Sequence, residues 1–77
     1  MSAMGNLPVL KPNEVVKILQ SLGFFLVRQK GSHMQFKNPD GRQTTVPFHR
    51  GRDISPILLR KIAQDIKVEI DDFLKNR

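Results

Sequence analysis

Residues 24–48, FFLVRQKGSHMQFKNPDGRQTTVPF, carry the pattern that decides the fold. β-Forming residues alternate with polar ones along this stretch, and turn signals interrupt it at Gly31 and at 38–41. In the second turn, Pro39 presets φ at the second position and Gly41 accepts a positive φ at the fourth. The stretch therefore predicts three short antiparallel strands joined as a meander, over residues 24–30, 32–38 and 42–48.

Helical spacing of apolar residues flanks this stretch on both sides. On the N-terminal side, apolar residues follow the i, i+3, i+4, i+7 pattern of one helical face from Pro12 until Gly23. On the C-terminal side, Ser55 is suited to cap a helix that begins with Pro56. A break around Lys67 precedes a short terminal helix.

The order of these elements predicts an α+β fold of the type α-β-β-β-α with a further terminal helix. Because the strands alternate apolar and polar residues, we expect the helices to cover one face of a three-stranded antiparallel sheet. The register of the first strand stays open, because both of its alternating sets of residues begin with apolar side chains. Residues 1–10 show no periodicity, so a flexible lead-in is expected there and a single domain over 11–77.

The chain is small and basic, with 77 residues and a formal net charge of +6. Residues 1–52 hold eight Lys and Arg against two acids, whereas residues 53–77 hold five of each. Clustered positive charge favours a polyanionic partner, although solubility alone also accounts for it. The absence of cysteine excludes disulfides, thiolate zinc sites and cysteine nucleophiles. No apolar run is long enough to span a bilayer and no signal peptide is visible, so we expect a cytoplasmic protein without membrane association.

Two histidines are candidates for proton transfer. Alternation puts His33 on the polar side of the second strand, away from Met34 and Phe36. Imidazole ordinarily titrates near pH ~6.5, which suits acid–base chemistry at neutral pH; the alternative is an exposed histidine without a task. His49 shares this nominal face one strand over, and orienting the loop after the strand is favoured over direct catalysis. A zinc site is less favoured than either, because two histidines alone leave its coordination shell incomplete.

Six cations in the middle of the chain are opposed only by Asp40. Such residues bind backbone phosphates or stabilise a pentacovalent transition state, although in most proteins they are solvated surface charges. The six are Arg28, Lys30, Lys37, Arg42, Arg50 and Arg52.

Three short runs give the chain a family resemblance: 22–24 (LGF), 28–33 (RQKGSH) and 46–49 (VPFH). From Pro12 onward the sequence resembles the HicA toxins of bacterial type II toxin–antitoxin systems. The resemblance implies a double-stranded-RNA-binding-domain-like fold, an mRNA interferase activity that inhibits translation, and inhibition by a HicB antitoxin. It also implies that the catalytic histidine is His33. We expect no cofactor and no metal. One departure is the start of the second long helix, 55–58 (SPIL), where the family often has a Gly-Thr-Leu-like start.

The leading hypothesis is a metal-independent endoribonuclease in which the ribose 2′-OH attacks the neighbouring phosphorus and His33 moves a proton. The second acid–base group is left open between water, Lys30 and His49. The alternative is a noncatalytic RNA-binding module of the same fold, and a third interpretation is a protein-interaction domain that docks an acidic partner. The residues expected to contact RNA are Arg28, Lys30, Ser32, Lys37, Arg42 and His49.

Overall fold

The computed structural model describes residues 7–77, which form three helices and one three-stranded sheet. The elements are α1 (Pro12–Ser21), β1 (Phe25–Lys30), β2 (His33–Lys37), β3 (Gln43–Pro47), α2 (Pro56–Asp65) and α3 (Ile70–Lys75). The strands are antiparallel and lie in the order β1-β2-β3. The predicted α+β class and the double-stranded-RNA-binding-domain-like arrangement are confirmed.

Each strand is shorter than its predicted range, because the end residues bond outside the sheet ladder. The backbone N–H of Phe24 donates to the Leu19 carbonyl over 2.9 Å, so Phe24 closes the end of α1 instead of opening β1. Gly23 makes this possible with a φ of +90°, a conformation that glycine adopts without steric cost. At the other long helix, the predicted N-cap is confirmed: Ser55 Oγ accepts the Leu58 N–H over 3.2 Å.

The helices cover one face of the sheet, as predicted. Both α1 and α2 lie against β3, and α3 packs on α2. From the sheet, Phe36, Thr44 and Val46 are buried beneath them. The buried Thr44 hydroxyl donates to Asp65 Oδ2 on α2 over 2.9 Å, so its polar group is satisfied in the core. The opposite face, which we call the open face, carries His33, Gln35 and Thr45, and none of the helices in residues 7–77 covers it.

The register of β1, which alternation leaves open, is set by an irregularity at Val27. Leu26 lies opposite Phe36 and Arg28 lies opposite Gln35, so Val27 is an extra residue without a partner, as in a β-bulge. The bulge leaves Arg28 on the open face and puts Leu26 on the same side of the sheet as Phe36. All of β1 is exposed, because the helices lie over the other edge of the sheet.

The segment before α1 is anchored where the structure describes it. Leu10 is fully buried and pairs with Ile54, whose N–H donates to the Leu10 carbonyl over 2.7 Å. Residues 1–6 of the predicted lead-in lie outside the described residues, so its flexibility stays a prediction.

Candidate active site

His33 is the first residue of β2 and follows a tight turn at Gly31 and Ser32. Gly31 has a φ of +58°, which lets the chain reverse within two residues. In the sheet, His33 lies directly opposite Lys30 on β1 and Pro47 on β3. Directly opposed residues have Cβ atoms about 4.5–5.5 Å apart, so the imidazole and the Lys30 side chain leave the sheet side by side. His33 is exposed.

A shallow depression surrounds this imidazole on the open face. It has a volume of about 310 Å³ and is lined by Arg28, Lys30, His33, Gln35 and Thr45. No carboxylate is among the lining residues, and within residues 7–77 neither Arg28 nor Lys30 forms an ion pair. The depression therefore presents an ionisable imidazole beside two positive charges that are free to meet an anion.

Ser32 and His49 form a link beside this depression. Ser32 Oγ lies 3.3 Å from His49 Nε2, with the donor set by the tautomer of the ring, and the Ser32 carbonyl accepts the Phe48 N–H. His49 follows the end of β3 and does not line the depression. The two histidines therefore line different hollows, and the contact with Ser32 ties the loop after β3 to the turn before His33.

Arg42 and Lys37 lie at the opposite end of the sheet from His33. Lys37 pairs with Gln43 at the last rung of β2, about 13 Å along the strand from His33 at ~3.3 Å per residue. The Arg42 side chain forms hydrogen bonds within the protein. Its Nη1 donates to the Ile66 carbonyl over 2.6 Å, and its Nε donates to Asp40 Oδ2 over 2.8 Å. Its guanidinium carbon also lies 5.2 Å from the centre of the Phe24 ring. The structure does not bring these two cations to the depression, and their contact with RNA stays a prediction.

Asp40 binds both the backbone and the side chain of Arg42. Its Oδ1 accepts the Arg42 backbone N–H over 3.0 Å, and this hydrogen bond, helped by the Arg42 guanidinium, lowers the pKa of the Asp40 carboxyl below its ordinary value of 3.8. The turn between β2 and β3 is therefore held by charged groups that bind one another.

The fold and this geometry can be set beside known families. A family model described as the HicA toxin of bacterial toxin–antitoxin systems matches residues 12–68. The chain belongs to the HicA toxin family. A comparison with curated proteins finds no match. The part matched to HicA runs from α1 through α2 and contains the whole sheet with His33, and α3 lies beyond it.

Two residues of the depression on this HicA fold were not among the predicted site residues. Gln35 and Thr45 face each other across β2 and β3 and form the floor between Arg28 and the edge of the sheet. Strand alternation puts Gln35 on the same side as His33, and it puts Thr45 on the side of β3 opposite Thr44 and Val46. The signal in the sequence that could have found them is the hairpin turn at 38–41, because pairing β2 with β3 across this turn puts the two residues opposite each other.

Among the helices of residues 7–77, none is long and apolar enough to cross a bilayer.

Proposed function

We propose that this HicA-family toxin is an endoribonuclease that cleaves RNA without a metal ion, using His33 to move a proton. The observation that carries the proposal is the depression on the open face. There an exposed imidazole lies beside Arg28 and Lys30, with no carboxylate among the lining residues. An imidazole can exchange a proton at neutral pH, and unpaired cations beside it attract a phosphodiester.

The reaction that fits these groups uses the RNA's own 2′-hydroxyl as nucleophile. Neutral His33 takes the 2′-OH proton while the 2′ oxygen bonds to the adjacent phosphorus. The bond from phosphorus to the 5′ oxygen breaks, and that oxygen receives a proton. The products are a 2′,3′-cyclic phosphate and a 5′-hydroxyl. Arg28 and Lys30 offset the charge that develops on the nonbridging phosphate oxygens.

The second proton comes from the side of the site where Lys30 lies, either from its ammonium group or from water next to it. Lys30 is the direct cross-strand neighbour of His33. His49 suits this step less well, because its Nε2 contacts Ser32 and its ring does not line the depression. These contacts support a positioning role for His49, through Ser32 and the turn that carries His33.

The proposal includes a partner and a location. A HicB-like antitoxin inhibits the toxin by covering the open face, where an acidic surface would neutralise Arg28 and Lys30. The substrate is mRNA, and the protein acts in the cytoplasm.

Cleavage of a chimeric oligonucleotide tests the chemistry. A DNA strand with a single ribonucleotide should be cut at that residue, with and without EDTA, to give a 2′,3′-cyclic phosphate, and the all-deoxy strand should stay intact. Cutting of the all-deoxy strand, or loss of cleavage in EDTA, would contradict the mechanism. His33→Ala should bind RNA as the native protein does and leave it uncut. If the native protein also binds RNA without cutting it, the noncatalytic RNA-binding module is the better description.

A further inference from the structure

A second cationic hollow lies next to the His33 depression, at the loop after β3. It has a volume of about 390 Å³ and is formed by residues 48–53 together with Lys11, Pro12 and Asn13 at the start of α1. We propose that this loop hollow binds backbone phosphates of the same RNA strand, so that the enzyme prefers strands that continue past the cleaved bond. This inference rests on the proposed function and adds a subsite to it.

The charge of the loop hollow fits a polyanion. Its lining residues include three cations, Lys11, Arg50 and Arg52, and a single carboxylate, that of Asp53. Within residues 7–77 none of these three cations forms an ion pair, so their charges are available to a ligand. The large apolar side chains that are exposed elsewhere on the described surface do not line this hollow, which favours phosphate over an apolar protein partner.

The loop hollow is held in shape from both of its sides. Leu10 and Ile54, which directly flank its two segments, are buried and pair with each other through backbone hydrogen bonds. Within the loop, the Arg52 N–H donates to the His49 carbonyl over 3.1 Å and closes a turn. The fold therefore brings Lys11 together with Arg50 and Arg52, although they are far apart in the chain.

The loop hollow lies near the active site, although the two hollows have no lining residue in common. Pro47 lies opposite His33, and His49 follows two residues later, roughly 7 Å further along an extended chain. The Ser32–His49 contact bridges the two sites. One nucleic-acid strand carries a phosphate about every 3.4 Å of helix axis, so a strand bound at His33 reaches the loop hollow within a few nucleotides.

Binding of non-cleavable RNA tests the subsite without relying on catalysis. The probes are 2′-O-methyl oligonucleotides, one a trinucleotide and one of about twelve nucleotides, titrated over a range of salt concentrations. The double variant Arg50→Ala/Arg52→Ala is compared with Lys17→Ala/Arg77→Ala, which removes the same charge outside the two hollows. Melting temperatures establish that both variants fold.

The double variant at the loop should bind the longer probe more weakly and the trinucleotide as the native protein does. Each lost phosphate contact lowers the slope of log affinity against log salt by about 0.7 for a single strand, so two contacts lower it by about 1.4. The control pair should leave that slope close to the native value. An unchanged slope, or an equal change in the control, overturns the subsite.

Two other results separate this inference from the proposed function. If the native protein binds neither probe at low salt, the proposed RNA activity itself fails. If the loop variant keeps its affinity for the long probe but loses affinity for an acidic protein partner, the loop hollow is a protein-binding surface and the subsite is wrong.

Discussion

The two ends of the sheet use charged residues in opposite ways. At the turn between β2 and β3, Arg42 donates to Asp40 and to the Ile66 carbonyl. At the turn between β1 and β2, Lys30 flanks His33 and forms no ion pair within residues 7–77. Both ends are basic in sequence, yet Arg42 at the first end is bound within the protein, whereas Lys30 at the second end is exposed.

This difference separates a charge that stabilises the fold from a charge that is available to a ligand. An arginine whose donors bond to a carbonyl and a carboxylate loses those bonds when it is replaced, and the protein loses stability. An exposed cation without a partner contributes little to folding, so its replacement changes mainly what the protein binds. The comparison therefore predicts which substitutions change activity and which change stability.

The largest expected effect is loss of cleavage in His33→Gln. Glutamine keeps a polar side chain of similar reach but cannot exchange a proton at neutral pH. A missing acid–base catalyst typically lowers the rate by about 100-fold to 10,000-fold. Single-turnover cleavage of an oligoribonucleotide measures this rate, and the melting temperature should stay at the native value because His33 is exposed.

His49→Gln is the matched variant for this measurement. Because His49 acts through Ser32, its replacement should lower the cleavage rate much less than the replacement of His33. Equal losses at both histidines would show that they act as a pair, which would contradict their separation between two hollows.

The next largest effect is a difference in stability between the variants Arg42→Met and Arg28→Met. Methionine keeps much of the aliphatic stem and removes the charged donors in both variants. Arg42→Met should lower the free energy of unfolding by about 1–3 kcal/mol, because the Ile66 carbonyl loses a charged hydrogen-bond donor. Arg28→Met should change stability by no more than about 0.5 kcal/mol and weaken RNA cleavage. Urea denaturation and cleavage assays on both proteins measure the two effects.

The reverse pattern, an unstable Arg28 variant or a fully stable Arg42 variant that cleaves poorly, would contradict the division between the two ends of the sheet. It would also restore Arg42 to the set of residues that contact RNA.

The sequence predicts the open face well and the role of Arg42 poorly, for physical reasons. Alternation depends only on the pleat of a strand, so the outward side of His33 can be predicted without knowing any contact. Arg42 bonds to the Ile66 carbonyl, which the fold brings from another element, and no local pattern encodes that contact. The bulge at Val27 could not be predicted for the same reason. It shifts the register of β1 at a single residue, whereas the sequence shows only two alternating sets that both begin with apolar residues and so indicate no register.

A smaller effect comes from the glycines of the two turns. A Cβ at Gly31 or at Gly41 meets no atom within 4 Å, but both residues have positive φ, of +58° and +99°. Replacement by alanine should therefore cost about 1–2 kcal/mol through backbone strain alone. We expect Gly41→Ala to lower the melting temperature without slowing cleavage by the folded protein. Gly31→Ala should do both, because that turn carries His33. Identical cleavage by the two variants would show that the site tolerates movement of the turn.

The smallest effect concerns acid stability at the Asp40 turn. The Arg42 backbone N–H, with the guanidinium, lowers the Asp40 pKa below 3.8, so the ionised carboxylate is favoured in the folded protein. A carboxyl with a lowered pKa stabilises the fold above its ordinary value and loses that contribution as the pH falls through the folded pKa. Asp40→Asn should therefore have a lower melting temperature than the native protein at neutral pH. The difference between the two melting temperatures should become smaller as the pH falls below about 3.8. Asp71→Asn, which removes the same charge from a residue without an ion pair in residues 7–77, is the control. If the difference in melting temperature is independent of pH, neutral hydrogen bonding maintains this turn and the charge of Asp40 is dispensable to the fold.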